Sequence, residues 1–214
     1  MRTHDVEAET AAVTDELLMI RYQRGDSEAF SWLVRRHNQR VYNFILRLVK
    51  SPSAAEEIAQ ETFLKIVKNS ASFKHEARFS TWLYAIARNL CIDHQRKQKL
   101  RRHSSLDQPA NQGQPADQGS RTLGETVADP HPTSNVERSA TKGRMAEAIV
   151  GAVEALPDDQ KEVFLLRELG GLPFKDIAEV TGVGENTVKS RMRYALERLQ
   201  QALEAYRDHA QELK

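Results

Sequence analysis

The chain has 214 residues, enough for two small domains, and its 31 Lys+Arg against 30 Asp+Glu leave a formal net charge of +1. That balance excludes a globally supercharged protein, so any affinity for nucleic acid has to come from local clusters of basic residues. The single cysteine, Cys91, excludes an internal disulfide and a Cys-rich zinc site, while 40% hydrophobic and 29% charged residues exclude wholesale disorder.

Residues 1–14 form an acidic tail, with Asp5, Glu7 and Glu9 and no basic stretch leading into an apolar core, so no secretory signal is expected there. No apolar run approaches the roughly 18 residues that a membrane helix needs. The expectation is a soluble chain of a reducing compartment. Leu17, Leu18 and Ile20 predict a short helix ahead of Gly25. Asp26 reads as the N-cap of a helix that carries Phe30, Leu33, Val34, Val41, Phe44, Ile45 and Leu48 at helical spacing and stops at Ser51-Pro52. Ser53 with Glu56 reads as a capping box opening a helix through Ile58, Phe63, Ile66 and Val67. Ser80 reads as the cap of a third helix, Thr81 to about Arg102.

Two of these helices carry chemistry on their outer faces. Glu56, Glu57, Gln60 and Glu61 form an acidic-amide stripe. A solvated surface is the usual reading of such a run, but acidic groups repel DNA and also suit a protein partner. Along the helix after Ser80, Leu83, Ile86 and Leu90 share one face, and Arg88, Arg96, Lys99 and Arg102 crowd the other. Residues 88–102 hold six Lys/Arg against Asp93, a local charge of +5. That density predicts phosphate contact driven by counterion release. Just upstream lie Phe73, Phe79, Trp82 and Tyr84. Aromatics beside cations suit single-stranded nucleic acid, because unstacked bases need a π-face; core packing is the competing reading for Phe79 and Trp82.

Residues 104–141 hold four of the seven prolines, no aromatic residue and a near-perfect hexapeptide repeat, Gln108-Pro-Ala-Asn-Gln-Gly113 followed by Gln114-Pro-Ala-Asp-Gln-Gly119. Such a stretch buries too little apolar area to offset its conformational entropy, and a flexible linker is expected. At 38 residues it averages about 31–37 Å as a coil and reaches roughly 125 Å when extended.

Beyond the linker, Met145 to Leu156, Gln160 to Leu169, Phe174 to Thr181 and Thr187 to Tyr206 read as helices, punctuated by Pro157, Gly170-Gly171 and Gly182. No β-alternation survives anywhere, so the predicted fold class is all-α, two small helical domains on a flexible linker. Residues 174–193 have the layout of a helix-turn-helix: Ala178 where the helices cross, Gly182 where the turn needs a positive φ, and Ile177, Val183 and Val188 as pegs. In the last helix Val188, Met192, Ala195, Leu196, Leu199 and Leu203 are expected to face the core. Lys189, Ser190, Arg193 and Tyr194 occupy the other face at its N-terminal end, the part a recognition helix inserts into the major groove.

Four stretches together resemble the sigma-70 family, in the extracytoplasmic-function branch that keeps only regions 2 and 4. They are Ala55-Glu-Glu-Ile-Ala-Gln-Glu-Thr-Phe63, Phe79-Ser-Thr-Trp-Leu-Tyr-Ala-Ile-Ala-Arg-Asn-Leu90 with Asp93 and Arg96, Leu156-Pro-Asp-Asp-Gln-Lys-Glu-Val-Phe164 and Thr187-Val-Lys-Ser-Arg191. The resemblance implies a dissociable specificity subunit of bacterial RNA polymerase, with region 2 over residues 15–103, region 4 over 142–206 and a C-terminal tail from 207 to 214. It implies that Glu57, Gln60, Glu61 and Phe63 dock on the polymerase core, at the β′ clamp helices, with the β subunit as a further contact. It places Phe73, Phe79, Trp82, Arg88, Asn89, Arg96 and Lys99 at the −10 element, which region 2 opens while holding an extruded base. It places Thr187, Lys189, Ser190, Arg193 and Tyr194 on the −35 duplex, with Tyr194 standing where many relatives carry Arg. An anti-sigma factor as partner and a cytoplasmic location, at the nucleoid or held at the inner membrane by that factor, are implied too.

Two other classes compete. A stand-alone helix-turn-helix regulator would use the N-terminal half as a dimerisation or sensor module, but a flexible linker fits poorly with a fixed dimer geometry. An enzyme finds no support. The seven histidines are scattered and neither an HExxH pattern nor a Gly-rich phosphate loop occurs, so no catalytic residue, cofactor or metal is expected.

Overall fold

In a computed structural model, the backbone is described for residues 13–74, 76–106 and 136–211, and side chains for residues 13–101 (His75 apart) and 145–204. The acidic residues Asp5, Glu7 and Glu9, the repeat at 108–119, residues 212–214 and the side chain of Arg102 lie outside the described residues. Among those described, every regular element is helical.

The first half holds α1 (Asp15–Gln23), α2 (Ser27–Val49), α3 (Pro52–Lys68), a single 3-10 turn (Ser70–Ser72) and α4 (Phe79–Leu106). Thr14 caps α1 by accepting a hydrogen bond from the Leu17 amide, and Asp15 and Glu16 sit in the first turn where the helix dipole favours them. Leu18 and Met19 are buried, whereas Leu17 is exposed. Asp26 caps α2 as predicted, its carboxylate accepting from the amides of Glu28 and Ala29 at 3.1 and 3.2 Å.

Two predicted caps are wrong. The hydroxyl that caps α3 belongs to Ser51, which accepts from the Ala54 amide, and Pro52 occupies the first helical position. Proline is pre-set for that position, so the helix opens ahead of the expected Ser53 and Glu56 box. Likewise α4 begins at Phe79, with Ser80 inside it, and its first amide is taken by the Glu16 carboxylate at 2.9 Å. A helix remote in sequence supplies that acceptor.

The second half holds α5 (Val136–Glu154), α6 (Asp158–Glu168), α7 (Phe174–Thr181) and α8 (Glu185–Gln211). Helix α4 ends at Leu106 and α5 starts at Val136, so helix trims both ends of the predicted linker. The helix-turn-helix forms as expected: Gly182 caps α7 at φ +73°, Ile177 and Val188 are fully buried, and Val183 is half-buried. On α8 the buried stripe is Val188, Met192, Ala195 and Leu199. Leu196, expected in it, lies about 80° round the helix from Val188 and is 49% exposed.

The two halves touch. Helix α4 lies against α7, and α2 against α6. Tyr84, buried on α4, meets the Phe44 ring edge-on at 5.1 Å and donates its hydroxyl hydrogen to the carbonyl of Leu169 at 3.0 Å. Gly170 comes so close to the Tyr84 ring that an added Cβ would lie 3.3 Å from it and 2.5 Å from the Leu166 carbonyl oxygen.

Candidate functional site

Three surfaces carry the expected functional residues. The first lies on α3, where Glu57, Gln60 and Glu61 are all exposed. Phe63 is largely buried, its ring meeting Phe30 edge-on, and it is among the residues lining the groove beside that face. The residue the sequence reading missed is Leu64, exposed by 57%. Its spacing was the available signal, because 57, 60, 61 and 64 fall on one helical face. Beside it an open groove of about 540 Å³ runs between α2 and α3, with Val34, Tyr42, Gln60, Leu64 and Val67 among its lining residues. An acidic edge next to an apolar groove suits a helical protein partner carrying basic residues.

The second surface is the segment from Phe73 to Trp82 and the helix that follows. Phe79 is fully buried and Phe73 nearly so, their rings 6.0 Å apart, and Phe79 packs on His37 at 5.5 Å. Neither ring is free to stack on a base, which corrects the expectation for both. Trp82 is half-buried and leans on Phe73 at 5.3 Å. The buried rings support a tip of exposed side chains, Lys74, Glu76, Ala77 and Arg78. Farther along α4, Asn89, Arg96 and Lys99 are exposed.

Arg88 is different. Its guanidinium makes two hydrogen bonds to Glu162 of α6, at 2.7 and 3.3 Å, with both side chains largely covered. It belongs to a polar seam between the halves. Thr81 donates to Asp176 at 2.6 Å, and Arg47 lies 3.3 Å from Glu154. Buried Lys161 donates to the Glu154 carbonyl at 2.8 Å, holding the end of α5. Contact between Arg88 and DNA therefore requires the Glu162 pair to open, and in this arrangement the expectation for Arg88 is not met. Cys91 sits beneath the seam; burial, aided by the Glu162 charge, pushes its thiol up to about 12, so no thiolate nucleophile forms there.

The third surface is the start of α8. Thr187, Lys189, Ser190 and Arg193 are exposed, and Tyr194 is 45% exposed. Lys189 pairs with Glu185 at 2.7 Å, and the Arg193 guanidinium rests over the Tyr194 ring at 4.8 Å. Both cations lie on the helix-turn-helix face, where Arg193 also approaches Glu197 at 3.8 Å. Among the described residues no group of three or more His, Cys, Asp or Glu could hold a metal ion.

Comparison with known proteins sorts these surfaces. The Sigma-70 region 2 family profile matches residues 33–101, and that of Sigma-70, region 4 matches residues 146–199. The chain is 31% identical over 190 residues to the RNA polymerase sigma-H factor of Pseudomonas aeruginosa, covering 89% of this chain and 94% of that protein. It is 31% identical over 192 residues to the ECF RNA polymerase sigma-E factor of Haemophilus influenzae, covering 90% and 96%. The chain belongs to the sigma-70 family, in its extracytoplasmic-function branch. It is an RNA polymerase sigma factor directing promoter-specific initiation, and not an enzyme.

Solved structures agree on the fold of this sigma factor. The sigma factor RpoE of Bartonella quintana, crystallised with the anti-sigma factor NepR, matches with a TM-score of 0.57 at 23% identity, covering 82% of this chain and 96% of that one. CnrH, solved with the cytosolic domain of CnrY, matches with a TM-score of 0.58 at 19% identity, covering 89% and 97%. Region 2 of the sigma factor accordingly carries the first two surfaces, and region 4 the third. Helix α1 precedes the region 2 match. Among the described residues no helix is long and apolar enough to cross a membrane.

Proposed function

We propose that this sigma factor divides its work among the three surfaces. The α3 face of Glu57, Gln60, Glu61 and Leu64 docks on the β′ clamp helices of the polymerase core, with the apolar groove beside it taking aliphatic side chains. The tip side chains Lys74, Glu76, Ala77 and Arg78, with Trp82, Asn89, Arg96 and Lys99, meet the opened −10 element, phosphate contacts supplying affinity and Trp82 the stacking surface. The start of α8 reads the −35 duplex, with Arg193 as the guanine reader and Lys189 and Thr187 beside it.

The observation that carries the reading is the exposed N-terminal face of α8, where every expected reader is solvent-facing on a well-formed helix-turn-helix. The polymerase core then supplies the second anchor that a single recognition helix lacks. An anti-sigma factor is the proposed regulator, in line with the two solved relatives, each of which was captured with another protein.

Charge reversal tests the docking face. Glu61 is exposed and pairs with Lys65 at 3.8 Å, so Glu61→Lys should leave the fold intact while opposing a basic partner. Its co-purification with core polymerase should fall at least tenfold. Retention at the unmodified level would remove the α3 face from the account.

A further inference from the structure

The segment between α3 and α4 is held in place from outside the region 2 match. Gln23, the last residue of α1, donates both amide hydrogens across the gap, to the carbonyl of Ser70 at 2.7 Å and that of Phe73 at 3.0 Å. Two carbonyl acceptors also fix which end of the amide faces the segment, since only the NH₂ group can serve both. Seven residues earlier on the same face of α1, Glu16 accepts from the Phe79 amide at 2.9 Å. One helix thus grips both feet of the segment, and the exposed Lys74, Glu76, Ala77 and Arg78 lie between the two grips.

The helix doing the gripping is itself anchored. Leu18 and Met19 are fully buried in the core. Asp15 bonds both Arg36 and the ring of His37, the same ring that packs on Phe79. Between α1 and the segment an open cleft of about 400 Å³ is lined by Ile20, Gln23, Arg24, Phe73, Lys74 and Glu76. Gln23 therefore sets both the path of the backbone and one wall of a cleft that carries two cations.

We propose that Gln23, seconded by Glu16, is a positioning residue for base selection at the −10 element. The proposal rests on the reading that Lys74, Glu76, Ala77, Arg78 and Trp82 face that element. Gln23 itself makes no claim on the DNA. It adds a second hydrogen bond to the Ser70 carbonyl, which also accepts from the Phe73 amide at 3.1 Å, and it holds the Phe73 carbonyl, so it removes alternative backbone paths that the segment would have to give up on binding. Base discrimination depends on geometry held to about half an ångström, so loosening one foot blurs selection more than it weakens binding.

The test uses full-length protein assembled with core polymerase and a fork-junction DNA library randomised across the single-stranded −10 non-template strand. Four variants are compared with the unmodified protein. Gln23→Leu removes the donors at nearly constant shape, Gln23→Glu turns acceptors toward the two carbonyls, Glu16→Ala removes the acceptor for Phe79, and Glu16→Gln keeps a carbonyl acceptor. Gln23→Leu, Gln23→Glu and Glu16→Ala should lose about tenfold in discrimination between the most and least enriched −10 bases. Their core affinity and −35 duplex binding should stay within twofold, and Glu16→Gln should retain selection. Amide hydrogen exchange at Phe73 and Phe79 should quicken in the three defective variants.

Unchanged selection in both Gln23 variants would overturn the proposal and leave the −10 reading standing. Equal losses of core affinity and −35 binding would overturn it too, by showing a merely structural role. If the unmodified protein shows no −10 preference, the reading of the segment fails first and the proposal falls with it.

Discussion

Helix α8 and the segment from Phe73 to Trp82 were both expected to touch DNA, and only one presents the residues named for it. On α8, Thr187, Lys189, Ser190, Arg193 and Tyr194 all lie on the outside. In the segment, Phe73 and Phe79 have turned inward and Trp82 is half-buried. The difference lies in what periodicity can report. Along a helix, Val188, Met192, Ala195 and Leu199 mark the buried side and so define its opposite. A short irregular segment has no period, and a phenylalanine there serves a core as readily as a base.

Substitutions can separate the two roles, and the largest effect is expected inside the segment. Phe79→Ala empties a fully buried site between Phe73, Trp82 and His37 and should cost about 3–5 kcal/mol of stability, read by urea denaturation. A loss below about 1 kcal/mol would return Phe79 to the DNA surface. Trp82→Ala should cost less in folding and about 1–3 kcal/mol in binding of single-stranded −10 DNA, the worth of one stacked base. Permanganate reactivity of the −10 thymines should drop while the closed complex still forms. On α8, Arg193→Ala should cost roughly 1–3 kcal/mol of discrimination at one base pair if it reads guanine. An equal loss on every sequence would make Arg193 a phosphate contact.

The smallest effect concerns the anchor of α1. Burial raises the pKa of Asp15, but hydrogen bonds and charge from His37 and Arg36 outweigh it and hold the carboxyl below its ordinary 3.8. A depressed folded value means that the unfolded chain binds the proton more readily, so the associated stability is present above 3.8 and fades as pH falls through the folded value. Asp15→Asn should be less stable at neutral pH and show a shallower acid limb in thermal melts. Parallel curves for the two proteins would show that the carboxylate contributes nothing of its own.

Much of the fold was legible because its signals are local. The Asp26 cap, the helix-turn-helix with Gly182 at its turn and the acidic face of α3 all rest on residues within a few positions of one another. What escaped are pairings between distant residues: Glu16 with Phe79, Gln23 with Ser70 and Phe73, Arg88 with Glu162, and Thr81 with Asp176. No spacing rule joins residues 47 to 95 positions apart. The seam also changed the reading of a cation, since Arg88 has the composition of a phosphate contact and the geometry of an internal ion pair. Leu64 could have been found, because its helical register with Glu57, Gln60 and Glu61 is plain in the sequence.

In the proposed division of work, this chain confers promoter selection on bacterial core polymerase through two DNA-reading surfaces. Run-off transcription with purified core polymerase measures it directly, on a template selected by the assembled complex and on copies with the −10 or the −35 element scrambled. Core alone should give no specific transcript, adding the sigma factor should give a transcript of defined length, and scrambling either element should abolish it. Sequence-specific binding to a palindrome by the free chain, with no transcript from the assembled complex, would contradict it.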